Sequence, residues 1–265
     1  MSQSVRSQSR FSSSRQTGQT AVEEKYRRLL DLIARAGSAA VAFSGGVDSS
    51  FLCHAAHEAL GEKAGAFTVV SPMLAQRERE EAARVAAHIG IAHFLIEENE
   101  IDAEVAANGK DRCYHCKKIE FAAIKRSAEE RGFAVVFDGS NVDDEGDYRP
   151  GLKALAETGV ISPLREAGFT KNEIREYSRR AGLPTWDKPA FACLASRVPY
   201  GESVDAEKLS RIDRAEEVLR EAGFRQFRLR AHGEAGGGIA RIEVAPEERR
   251  RFFDTAVLDE LSRRI

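Results

Sequence analysis

A chain of 265 residues, 42% hydrophobic and 31% charged, can bury a substantial core in one large domain or in one large and one small. Its formal net charge of -2 argues against a nucleic-acid partner, because neutralising phosphates takes a basic excess. No apolar run approaches the roughly 20 residues that cross a bilayer, and no secretory apolar segment follows the start, so a cytoplasmic protein with no membrane contact is expected.

Residues 1–20, rich in Ser, Gln and Arg and free of acids, cannot build a core and are expected to form a disordered tail. From Val22 to Ile33, Tyr26, Leu29, Leu30 and Ile33 recur at helical spacing. Ala39 to Phe43 reads as a buried strand that runs into Ser44-Gly45-Gly46-Val47-Asp48-Ser49-Ser50 and a helix. A second strand is expected at Gly65–Val70, a charged helix from Ala75 to His88, and a third strand near His93–Ile96. Asp111 is placed to cap a helix running to Glu130, and Ala134–Phe137 is the next strand, ending at Asp-Gly139-Ser-Asn. Thr170-Lys-Asn-Glu173 has the form of a capping box, opening a helix that should stop at Gly182 before Pro184. After Gly201 a helix through Leu209, Ile212, Ala215 and Leu219 leads to a hairpin. In that hairpin Phe227, Leu229 and Ala231 alternate with Arg228, Arg230 and His232, and Arg241 and Glu243 share a face. The expected division is a domain over 21–200 and a small α+β domain over 201–265.

Strands alternating with helices indicate an α/β fold with a parallel sheet covered on both faces and ligands at the carboxyl ends of its strands. The loops at those ends carry Ser44–Ser50, Ser71 and Gly139. Two adjacent glycines let the backbone turn N–H groups toward an anion, Ser44, Ser49 and Ser50 add hydroxyls, and the next helix adds its positive end. The loop lacks the lysine of a γ-phosphate-gripping P-loop. Asp48 is a candidate ligand for Mg²⁺ on the phosphates. A glycine turn with no ligand is the plain alternative, which the whole heptapeptide after an apolar strand disfavours. The segment resembles the loop of the ATP-pyrophosphatase (PP-loop) enzymes, adenine nucleotide alpha hydrolase-like proteins that cleave ATP between the α- and β-phosphates and adenylylate a carbonyl oxygen.

Four cysteines are too few for a disulfide scaffold in a chain this long, so they are read as chemistry first. Cys113 and Cys116 are three apart on a helical segment and can share a face, and Lys117 and Lys118 are expected to favour their thiolates. An iron–sulfur cluster, zinc, a redox dithiol and inert thiols all remain open for this pair. Cys193 lies in an aperiodic segment after Pro184 and Pro189, expected to be an exposed functional loop in which Arg197 can bind an anion. Cys53 reads as a buried structural thiol.

The phosphate loop, Asp147-Tyr-Arg149-Pro-Gly151 and Ala-Cys193-Leu-Ala-Ser196-Arg197-Val-Pro-Tyr-Gly201 together resemble the ATP-dependent sulfur transferases of nickel-pincer nucleotide biosynthesis, from about Tyr26 to Glu243. The resemblance implies ATP and Mg²⁺ as cofactors, a pyridinium biscarboxylate mononucleotide as acceptor, and a homo-oligomer. It implies that Cys193 is the sulfur-bearing catalytic residue beside Asp48, and that Ser196, Arg197, Arg228, Arg230, Glu216 and Glu243 surround the substrate phosphate. One branch of the family sacrifices a single cysteine. With Cys113 and Cys116 this chain resembles the other branch, in which the two join Cys193 on a [4Fe–4S] cluster. The Gly233–Gly238 turn is longer than the family's usual one. Two other readings stand beside this one: a PP-loop tRNA thiolase, and a non-catalytic module that binds a cluster and a nucleotide.

Overall fold

The computed structural model describes residues 22–146, 150–233 and 238–265. The expected tail, Asp147–Arg149 and the middle of the long hairpin turn lie outside the described residues.

Buried Tyr26, Leu29 and Ile33 form the inner face of α1 (residues 22–34). Then follow β1 (Ala39–Ala42), α2 (Val47–Leu60), β2 (Ala64–Val70), α3 (Gln76–Ile89) and β3 (Ala92–Glu97). A short α4 (Ala103–Ala106) precedes the long α5 (Arg112–Glu130) and β4 (Val135–Phe137). The four strands form one parallel sheet in the order β3-β2-β1-β4, and a bridge from Phe137 to Ile161 extends it on the β4 side. Side chains alternate across the sheet, as a pleat requires. Ala39 and Val41 join the core made with α1, α2 and α3, while Ala40 joins the core made with α5 through Phe121 and Ile124. Both faces are therefore covered, and the loops after β1, β2 and β4 meet at one edge of the sheet.

Beyond β4 come α6 (Pro150–Thr158), α7 (Pro163–Glu166) and α8 (Lys171–Arg180). The capping box at Thr170 and Glu173 forms in full, and Gly182 ends the turn after α8 at φ 72°. Asp111 departs from expectation. Its side chain makes no cap, because its Oδ2 pairs with His115 Nε2 at 3.1 Å, one turn into α5.

The remaining elements are α9 (Ala206–Glu221), the antiparallel hairpin of β5 (Phe227–His232) and β6 (Ile239–Val244), and α10 (Thr255–Arg264). Arg228 pairs in register with Glu243, and Arg230 with Arg241, while Phe227 and Leu229 are buried on the other face. A fourth core formed by Leu219, Phe224, Phe227 and Leu261 holds α9, β5 and α10 together. A third core packs Leu194, Ala195 and Val198 with Val204, Leu209 and Ile212. The expected boundary at residue 200 thus falls inside one packed cluster. The segment after Cys193 also departs from the expected exposed loop: a tight helical turn over Leu194–Arg197 buries all but Ser196.

Candidate active site

The phosphate loop is a compact turn at the carboxyl end of β1. Ser49 Oγ accepts from Ser44 N at 3.3 Å, lies 3.2 Å from Ser44 Oγ and donates to Gly46 O at 3.3 Å. Gly45 has φ 66°, and a Cβ there would lie 3.0 Å from Ala82 Cα, so conformation and space both demand glycine. Gly46 stands at the cap of α2 with no side-chain bond, leaving the first-turn amides of the helix available to an anion. Ser50 Oγ is buried with no protein partner among the described residues.

Two cations serve this loop from elsewhere in the chain, and the sequence reading named neither. Lys171, the first residue of α8, places its ammonium on Asp48 Oδ2. Among the described residues Asp48 Oδ1 is buried without a partner, an oxygen suited to a hard cation on the phosphates. Burial raises the Asp48 carboxyl above its ordinary range, and Lys171 offsets part of that. Lys188 donates to Gly45 O at 3.2 Å and to Glu78 Oε2 at 2.8 Å. A lysine inside SGGVDSS would have been visible as a motif. Lysines delivered by distant elements carry no such signal.

The neighbouring loops close in as placed by the sheet. Ser71 Oγ accepts from Met73 N at 3.3 Å. A Cβ at Gly139 would lie 3.1 Å from Ser49 N, so only a glycine lets this backbone rest against the start of α2. Asp138 fixes that loop by accepting from Ser140 N at 3.1 Å and from the hydroxyls of Ser140 and Ser162.

Cys193 is exposed, while Cys113 and Cys116 are half-buried in the first turns of α5. Leu194 N donates to Met73 O at 3.0 Å, which ties the Cys193 turn to the loop after β2 at the same sheet edge. The Cys193 turn is also fastened to the start of α5. Arg112 Nη1 donates to Asn108 Oδ1 at 2.6 Å and to Ala195 O at 2.8 Å. Asn108, fully buried at φ 54°, donates Nδ2 to Pro199 O at 2.7 Å and Glu202 O at 3.0 Å.

Burial pushes the Cys116 thiol up to about 12, and Glu120, Cys193 and Cys113 add to the rise. Lys117, whose ammonium is bonded to Glu120 at 2.7 Å, offsets part of it. The expected lowering by adjacent lysines is therefore reversed at Cys116. Cysteine thiolates are the donors that iron–sulfur clusters take. Among the described residues no group of three or more His, Cys, Asp or Glu side chains stands in metal-holding geometry. Cys53 is fully buried and burial raises its thiol, as a structural thiol requires.

Arg197 differs from the ligand-facing residue the sequence suggested. It is 1% exposed, and Nε and Nη2 bind Glu216 at 2.8 and 3.0 Å. Nη1 donates to Ala192 O at 2.6 Å, Ser196 Oγ at 3.0 Å and Cys193 O at 3.1 Å. Glu216 also accepts from Leu229 N at 3.0 Å, so this pair locks the Cys193 turn to α9 and β5. Arg230 keeps some freedom. Its Nε binds Glu243 at 2.7 Å and its Nη1 donates to Ser196 O at 3.0 Å, and among the described residues Nη2 has no bond and is left to a ligand. Arg228 shares its strand face and is half-buried.

Comparison with known proteins accords with this arrangement. The asparagine synthase family matches residues 33–139, the stretch from the end of α1 to Gly139. An uncharacterised protein of the cyanobacterium Synechocystis sp. is 43% identical over 91% of this chain and 88% of its own length. The tRNA-specific 2-thiouridylase of Pelobacter propionicus is more distant, 29% identical over 56% of this chain and 51% of its own. The pyridinium-3,5-bisthiocarboxylic acid mononucleotide synthase of Lactiplantibacillus plantarum is 36% identical over 79% of this chain and 75% of its own. With the parallel sheet, the phosphate loop after β1 and this last likeness together, the chain belongs to the family of that synthase, on the PP-loop fold.

Proposed function

We propose that this protein, an ATP-using sulfur transferase of nickel-pincer nucleotide biosynthesis, adenylylates a carboxylate of pyridinium-3,5-biscarboxylate mononucleotide and then exchanges the activated oxygen for sulfur. One observation carries the reading: Cys193, the most exposed of the four thiols, is fastened by Leu194 to Met73 at the sheet edge that also bears the phosphate loop. The loop amides, Ser44 and Ser49 would hold the phosphates, with Asp48 on the Mg²⁺ and Lys171 moving from Asp48 toward the anion. The acceptor carboxylate oxygen attacks the α-phosphorus and expels pyrophosphate, giving an acyl adenylate. A sulfur nucleophile then attacks the acyl carbon and AMP departs. Arg230 and Arg228 would orient the acceptor phosphate, with residues 201–265 serving as the acceptor-binding unit.

Two sulfur sources fit the thiols. Cys113, Cys116 and Cys193 would hold a [4Fe–4S] cluster, which would supply sulfide and spare the protein. Alternatively the Cys193 thiolate forms a thioester, and elimination across its Cα–Cβ bond leaves the sulfur on the acceptor and dehydroalanine in the chain. Arg112, beside Cys113 and bonded to Ala195 O, brings the Cys193 turn to the start of α5, and that favours the first. The test is anaerobic reconstitution followed by turnover with ATP and acceptor. About four irons per chain, release of AMP and pyrophosphate, and an unchanged Cys193 mass support the cluster route. A loss of about 34 Da at Cys193, with activity kept in Cys113→Ser/Cys116→Ser, rejects it. Release of ADP and orthophosphate overturns the adenylylation itself. A tRNA acceptor has the distant 2-thiouridylase in its favour and a net charge of -2 against it.

A further inference from the structure

Lys188 lies on the segment between α8 and the Cys193 turn, and its side chain is 14% exposed. Its ammonium binds Gly45 O at 3.2 Å, Glu78 Oε2 at 2.8 Å and Glu81 Oε2 at 2.6 Å. With two acceptors bonded and the Glu81 carboxylate paired against it, the ammonium is already engaged by the protein. Lys188 therefore acts through what it holds.

On one side it holds the phosphate loop. In a planar trans peptide the C=O and N–H point in opposite directions. Fixing Gly45 O against Lys188 therefore directs Gly46 N–H the other way, at the entrance to α2 where an anion would be bound. Gly45 cannot supply this order itself, because a glycine at φ 66° has several conformations open to it. On the other side Lys188 holds the approach to Cys193. Its own carbonyl accepts from Arg175 Nη2 at 2.9 Å, which fixes the segment to α8. Phe191 then lies beneath Arg77, with the guanidinium carbon 3.8 Å from the ring centre. Arg77 adjoins Glu78, so the first turn of α3 receives both Lys188 and Phe191.

We infer that Lys188 is a positioning residue shared by the two halves of the site: it orders the Gly45 peptide for phosphate binding and anchors the Cys193 segment to the same turn of α3. The inference rests on the reading of Ser44–Ser50 as the ATP site. Loss of one charge-assisted bond in Lys188→Met should raise the KM for ATP about tenfold in pyrophosphate release, with a smaller change in kcat. Hydrogen–deuterium exchange should quicken in two segments together, Ser44–Ser50 and Pro189–Cys193, and not in the hairpin. Lys188→Arg, which keeps charge and donors, should restore most of both. Should Lys188→Met leave Glu78 too costly to bury, Glu78→Gln/Lys188→Met removes that charge and should show the same two shifts. Wild-type ATP KM and wild-type exchange in the folded variants would overturn the inference, as would exchange that quickens in only one of the two segments. If the wild type releases no pyrophosphate, the ATP reading fails instead, and joint quickening of the two segments still decides the anchoring.

Discussion

The phosphate loop draws its binding groups from consecutive residues, Ser44–Ser50, whereas the thiol site is gathered from the start of α5 and the turn at Leu194–Arg197. The first uses backbone amides and small hydroxyls, which a strand–turn–helix passage presents almost automatically. The second needs side chains brought from afar, and it relies on two buried guanidinium groups to do so. Arg112 ties Asn108 to Ala195 O, and Arg197 ties Glu216 to Ala192 O and Cys193 O. A contiguous site needs from afar only the lysines that steady it, here Lys171 and Lys188. A dispersed one costs buried charges and is correspondingly easier to disassemble.

That contrast is sharpest at Arg197. Arg197→Met leaves Glu216 as a buried carboxylate without its cation, and unfolding in urea should show a loss of about 3–5 kcal/mol. A loss below about 1 kcal/mol would mean that the thiol turn stands without its ion pair. At the phosphate loop the expected effect falls on chemistry instead. Asp48→Ala should cut pyrophosphate release at least about a hundredfold, with far-ultraviolet circular dichroism unchanged; activity near a tenth of wild type would move the cation's ligand elsewhere. Arg230→Ala should raise the acceptor KM about tenfold through one lost charge-assisted bond, with the ATP KM within about twofold. Equal weakening of both substrates would place Arg230 on the nucleotide or in the fold.

The smallest effect expected is on pH dependence. Burial, partly offset by Lys171, raises the Asp48 carboxyl above its ordinary 3.8. The folded protein then holds that proton at pH values where the unfolded chain has released it. This contribution to stability is complete below 3.8 and is lost as pH rises through the folded value. Asp48→Asn removes the titration, so its stability relative to wild type should increase with pH across that window in urea melts. The same ionisation should give pyrophosphate release an acid limb in the wild type. A flat difference between the two melts would show that Lys171 cancels the burial cost completely.

Much of this protein was decided locally and could be read from the chain. The apolar run before Ser44, the paired glycines and the capping box at Thr170 act within a few residues, and each appears where its pattern puts it. The alternation in Phe227–His232 likewise predicted the two faces of the hairpin, since a strand's period of two is intrinsic to its geometry. Lys171 on Asp48, Lys188 on Gly45 O, and the withdrawal of Arg197 into Glu216 left no local trace. Each joins residues far apart in the chain, and an arginine that grips a ligand reads the same in sequence as one that grips a buried glutamate. Cys116 makes the same point for charge: its burial, with the Glu120 carboxylate beside it, outweighed Lys117 and sent the thiol opposite to what neighbouring lysines imply. Desolvation and partner choice belong to the packed molecule, so only the tertiary structure decided them.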